Sequence, residues 1–125
     1  MLRKLATVGA LAAAMTLVLT SCSGALSPED AGQRYLSAVC PANTALDSIS
    51  PALDGDDLDA VHQSASAYGE AARSAAKLLT DSSTKWPDEV DPEDLEAVAD
   101  SYLADLAVIN EYTAAQSVEE ARSVF

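Results

Sequence analysis

The chain has 125 residues, with seven Lys and Arg against 20 Asp and Glu, a formal net charge of −13 at pH 7, one His and two Cys. A chain of this length suits one small domain able to bury around two thirds of its unfolded surface. Its charge repels phosphate backbones and anionic headgroups, which excludes nucleic acid and polybasic membrane docking as functions; it favours cations or basic partners, or serves solubility alone.

At the N-terminus Arg3 and Lys4 precede an uncharged stretch from Leu5 to Thr20 that ends in Ser21 and Cys22, the charged-then-apolar layout of an export signal. About 16 helical residues at 1.5 Å each span roughly 24 Å, short of the ~30 Å hydrocarbon core, so this segment reads as cleaved rather than spanning. The sequence Leu19-Thr20-Ser21-Cys22 resembles the bacterial lipobox, in which an aliphatic residue and two small ones precede a cysteine. The resemblance covers only the export region. It implies that the Cys22 sulfur receives a diacylglycerol, that the Ser21 to Cys22 bond is cut, and that the mature protein is a lipoprotein anchored at the extracytoplasmic face of the cell membrane. A single acyl chain, at about 0.8 kcal/mol per buried CH₂, binds reversibly, whereas two or more anchor stably. In its alanine richness and lysine scarcity the whole chain is similar, more loosely, to the small lipoproteins of high-GC Gram-positive bacteria. That likeness assigns no binding residue.

The expected organisation is a signal peptide over residues 1–21, a lipidated tether over 22–26 and a helical domain over 27–125. Removing Arg3 and Lys4 leaves five basic against 20 acidic side chains, a formal charge of −15. With Cys22 lipidated, Cys40 is the remaining thiol and no intrachain disulfide forms. Cys40 is either a small buried residue or a bridge to a second chain or a partner, and its apolar surroundings favour burial.

Ser27-Pro28-Glu29-Asp30 reads as a helix start, with Ser27 capping free amides, Pro28 in the first turn and acids at the positive end of the dipole. Ala31, Tyr35, Ala38, Ala42, Ala45 and Ile49 continue it as an apolar stripe, widened by Leu36, Val39 and Leu46. Pro41 removes a donor and crowds the Ser37 carbonyl, which predicts a kink or break near Cys40. Ser50-Pro51-Ala52-Leu53-Asp54-Gly55 gathers turn residues and predicts the first reversal.

Helix two is expected from Asp56 or Asp57 to about Leu79, along Leu58, Val61, Ala65, Tyr68, Ala72, Ala75 and Leu79, which step by three and four. Aspartates at its start and Arg73 and Lys77 near its end suit the helix dipole. Residues 81–87, through Trp86 and Pro87, read as the second connection. Asp91-Pro92-Glu93-Asp94 repeats the start signal, and Leu95, Val98, Tyr102, Leu106 and Ile109 form the buried line of helix three, broadened by Leu103 and Tyr112. Ser117 and Glu120 have capping-box spacing ahead of Ala121, Val124 and Phe125; this predicts either a short terminal helix or a continuation of helix three. No stretch alternates as a strand does. The fold class is therefore all-α, a small antiparallel bundle of three main helices joined up-down-up by short loops.

Chemistry is sparse in this pattern. His62, the lone histidine, lies off the helix-two seam, and only Ser66 among nearby hydroxyls could share its face, so no nucleophile and base are paired. No nucleophile elbow, phosphate loop or dinucleotide fingerprint is present, and the ligands for a zinc site are too few. The weak metal candidates are Asp54, Asp56, Asp57 and Asp59, but counted from Asp54 the calcium-loop pattern fails, with Leu58 and Asp59 at the fifth and sixth places. They read as a helix cap with a solvated face, and Asp88, Glu89, Asp91, Glu93, Asp94 and Glu96 likewise. Trp86 is expected to plug the bundle end. Tyr35, Tyr68 and Tyr102 should lie inside with hydroxyls at the rim; nothing in their spacing demands a pocket between them. The expected function is that of a non-catalytic interaction or structural module, without cofactor, bound to the membrane through lipid on Cys22 and facing an envelope protein. The alternative is an extracytoplasmic binder of a cation or small molecule.

Overall fold

A computed structural model describes residues 24–124; the signal segment, Cys22 and Phe125 lie outside them. Five helices follow one another: α1 (Pro28–Asp47), α2 (Ile49–Asp54), α3 (Leu58–Leu79), α4 (Pro92–Ala114) and α5 (Val118–Arg122). No strand occurs among the described residues.

The local starts follow from capping chemistry. Ser27, Asp57, Asp91 and Ser117 each stand in extended backbone and accept from an amide two or three residues on, which satisfies donors that the first helical turn leaves free. At the last of these, Ser117 Oγ accepts from the Glu120 amide while the Glu120 carboxylate accepts from the Gln116 amide at 2.7 Å. The spacing that left two outcomes open thus produces a separate α5, because Ala115 turns extended at ψ 137° and ends α4.

The long helices form an antiparallel bundle with α3 at its centre. Arg34, early in α1, meets Asp81 just past α3 in a 3.6 Å ion pair, and His62, early in α3, reaches Ala115 at the end of α4. Helix α3 packs extensively on both α1 and α4, whereas α1 and α4 scarcely approach each other. Its seam, Val61, Ala65, Tyr68, Ala72, Ala75 and Leu79, is buried throughout. Gly69 marks how close the backbones come: a Cβ there would lie 3.3 Å from Ile109 Cγ2.

Several sequence expectations are corrected. Helix α1 runs through Pro41 to Asp47 and breaks only at Ser48, so the proline ends no helix. One lost donor within a 20-residue helix is tolerated where Ala38, Val39 and Ala42 on the same turns are buried. The expected reversal at Ser50–Gly55 is mostly the short α2, whose Ile49, Ala52 and Leu53 are buried; burial overrides turn composition. The chain reverses just beyond it, where the Gly55 amide donates to the Pro51 carbonyl and Asp56 takes a left-handed φ of 57°, a conformation that Asp tolerates better than most residues. Leu36, Leu46 and Leu103, expected to widen the core, are exposed instead. Cys40 is exposed rather than buried. A three-helix layout in which only α3 packs extensively on both others needs a narrower stripe on α1 and α4 than a closed bundle would.

Candidate functional site

The separation of α1 from α4 leaves a groove with α3 as its floor. Leu46 and Asp47 from the end of α1, and Ile49 and Pro51 from α2, form one wall; Asp105, Val108, Ile109 and Tyr112 of α4 form the other. Tyr68 of α3 lies between them, and the cavity encloses about 820 Å³. That volume falls within the range of ligand sites. Leu46 at 45 % and Val108 at 38 % exposure stand on its lips, two large apolar side chains in contact with water.

The polar groups of the groove are few and of one sign. The Tyr68 hydroxyl donates to the Asp105 carboxylate at 2.5 Å. Burial first, then this hydrogen bond and the negative charge behind it, hold the phenol well above the usual tyrosine range, so it stays protonated and serves as a fixed donor. Asp47 supplies a second carboxylate, and no Lys, Arg or His lines the cavity. Nearer the start of α4, Tyr102 donates to Asn43 Oδ1 at 3.0 Å, the polar link that spans the α1–α4 gap. A phenol fixed on a carboxylate, in apolar walls with an acidic rim, can orient a neutral or basic ligand.

The tyrosines lie close to expectation: Tyr68 and Tyr102 are buried with hydroxyls directed to the rim, and Tyr35 is half-buried against the core. His62 is also half-buried. Its Nε2 donates to the Ala115 carbonyl at 2.9 Å, which secures the α4 terminus to α3 rather than facing Ser66. The four aspartates near the first reversal do not converge. Asp57 caps α3 through the Ala60 amide, Asp56 pairs with Arg122 at 3.4 Å, and Asp54 and Asp59 are exposed. Among the described residues no three His, Cys, Asp or Glu side chains gather as a metal site.

At the opposite end of the bundle Trp86 is half-buried against the core. Its indole N–H is buried and meets no acceptor among the described residues. A smaller apolar cavity of about 540 Å³ opens between Trp86, Pro28, Tyr35 and Val90. Asp47, Asp105 and Val108 went unremarked in the sequence because each is an ordinary surface residue of an amphipathic helix; only the spreading of α1 and α4 makes them neighbours. Compared with known protein families, with curated proteins and with solved structures, the chain matches none.

Proposed function

We propose that this chain is a lipid-anchored, non-catalytic interaction module, held by Cys22 at the extracytoplasmic face of the cell membrane. Its α1–α4 groove receives the apolar face of an amphipathic helix of a partner envelope protein, with basic flanks. The observation that carries this reading is the groove itself: an apolar trough between two helices, with exposed Leu46 and Val108 on its lips and Asp47 and Asp105 as its charged groups. Helix-in-groove recognition uses such a surface, the trough taking the apolar anchors and the acidic rim selecting against anionic partners. The membrane anchor rests on the lipobox-like Leu19-Thr20-Ser21-Cys22.

Photocrosslinking on intact cells tests it. A photoreactive residue at position 108 should yield a discrete adduct that the same residue at Leu103, exposed on α4 but outside the groove, does not. Asp47→Lys with Asp105→Lys should abolish that adduct. Equal labelling from both positions, or an adduct indifferent to the charge reversal, refutes the groove as the docking site. Changing Cys22 to Ser should separately abolish lipid labelling and the lipoprotein-type cut.

A further inference from the structure

We infer that the bundle stands end-on on the bilayer, seated through the pole formed by the start of α1 and the α3–α4 connection, with the α1–α4 groove directed away from the lipid. This rests on the reading that Cys22 carries the anchor. The geometry then fixes which pole lies near the lipid. The Leu26 amide donates to the Lys85 carbonyl at 2.8 Å, and Gly24 lies beside the Lys85 side chain, so the entering chain is held to the α3–α4 connection. Cys22 is four residues before Leu26, and a fully extended chain of that length reaches at most about 14 Å. Helix α1 is 20 residues long and therefore rises about 30 Å from that pole at 1.5 Å per residue. The lipid is bound to reach the near end of the bundle, and the groove wall at Leu46 to Pro51 begins near α1's far end.

The near pole also has the chemistry of a lipid interface. Trp86, Pro28 and Val90 surround the apolar 540 Å³ cavity there, and the part of the Trp86 ring that the core leaves uncovered suits the apolar side of a membrane interface, while its N–H stays inside the bundle. Charge sets which lipid it meets. Glu29, Asp30, Asp88, Glu89, Asp91, Glu93 and Asp94 crowd this pole, opposed by Lys77, Lys85 and Arg34, the last already paired with Asp81. The seat is therefore on neutral or zwitterionic headgroups, and anionic lipid at low salt repels it.

Trp86 is the sole tryptophan, so all indole emission reports this pole. Native protein, its acylated N-terminus verified by mass spectrometry, is reconstituted into phosphatidylcholine vesicles whose acyl chains carry bromine, a short-range quencher. Trp86 emission should fall relative to unbrominated vesicles. The loss should shrink when anionic phosphatidylglycerol is mixed in at about 0.01 M salt and return at about 0.15 M, as the screening length contracts from ~30 to ~8 Å. In the variant Trp86→Phe with Thr113→Trp, which moves the probe to the far end of α4, bromine should leave emission unchanged. Acylated protein whose Trp86 emission ignores bromine, or quenching at both positions as in a bundle lying flat, overturns the end-on seat alone. Protein lacking acyl groups on Cys22 overturns the seat together with the anchor reading.

Discussion

Where α3 meets α1 and α4 the bundle is closed by small side chains, while between α1 and α4, where larger and charged ones face each other, it stays open. Ala65, Ala72 and Ala75 are fully buried along α3, and Gly69 brings its backbone near Ile109. Across the gap stand Leu46 and Asp47 against Asp105 and Val108, linked by water-facing surface and by the Tyr102–Asn43 hydrogen bond. Helix pairs approach as closely as the side chains between them permit. Alanine thus welds two interfaces, and its scarcity in the third leaves a trough.

The comparison can be broken first on the seam. Leu79→Ala, in a side chain 2 % exposed, should cost about 2–5 kcal/mol in urea unfolding, from lost burial and the cavity left behind. Ala72→Leu should cost about 1–3 kcal/mol by forcing α3 from its neighbours. A cost near zero in either would mean that the seam is as loosely packed as the groove.

Tyr68 belongs to both regions, packed in the seam and bonded in the groove. Tyr68→Phe should cost about 0.5–1.5 kcal/mol at neutral pH, the net value of one hydrogen bond. Because its folded-state phenol titrates above the unfolded value of about 10, the stability this group contributes is complete below pH 10 and declines as pH rises further. The variant should lose less of its stability than the parent in that alkaline range. In the groove, Val108→Ser should change stability by no more than about 0.5 kcal/mol while abolishing the position-108 partner contact. A large loss of stability would show the lip to be core.

The smallest effect belongs to the pinned end of α1 and α3. Hydrogen bonds from the Ser83 hydroxyl and amide, aided by Arg34 and Lys77, hold the Asp81 carboxyl below its ordinary range. Its contribution is present above the unfolded value of about 3.9 and is lost as pH falls through the lower folded one. Asp81→Asn should therefore be slightly less stable than the parent at neutral pH, with the difference vanishing in acid. A difference that persists at low pH would assign the effect to packing.

Much of the fold is legible in the sequence. The caps at Ser27, Asp57, Asp91 and Ser117 and the seam from Val61 to Leu79 are local matters of amide satisfaction and helical period, and they appear where the residues predict them. The helix runs on through Pro41 instead of breaking, and the Ser50–Gly55 segment misled, because a local breaking tendency of a few kcal/mol is outweighed once Ala42, Ala52 and Leu53 are buried. Cys40, Leu36 and Leu46 misled for the converse reason, since apolar character alone does not say which of two flanks of a helix has a neighbour.

The sequence by itself therefore determined the three long helices, their order and the face of α3 that binds the others, because capping and periodicity act over a few residues. Only the tertiary structure decided that α1 and α4 stand apart, that Asp47, Asp105 and Tyr68 share one trough, and that the chain leading from Cys22 is tied to the Trp86 pole. Those are distances between residues far apart in the chain, set by the side-chain volumes lodged between helices, and no local pattern encodes them.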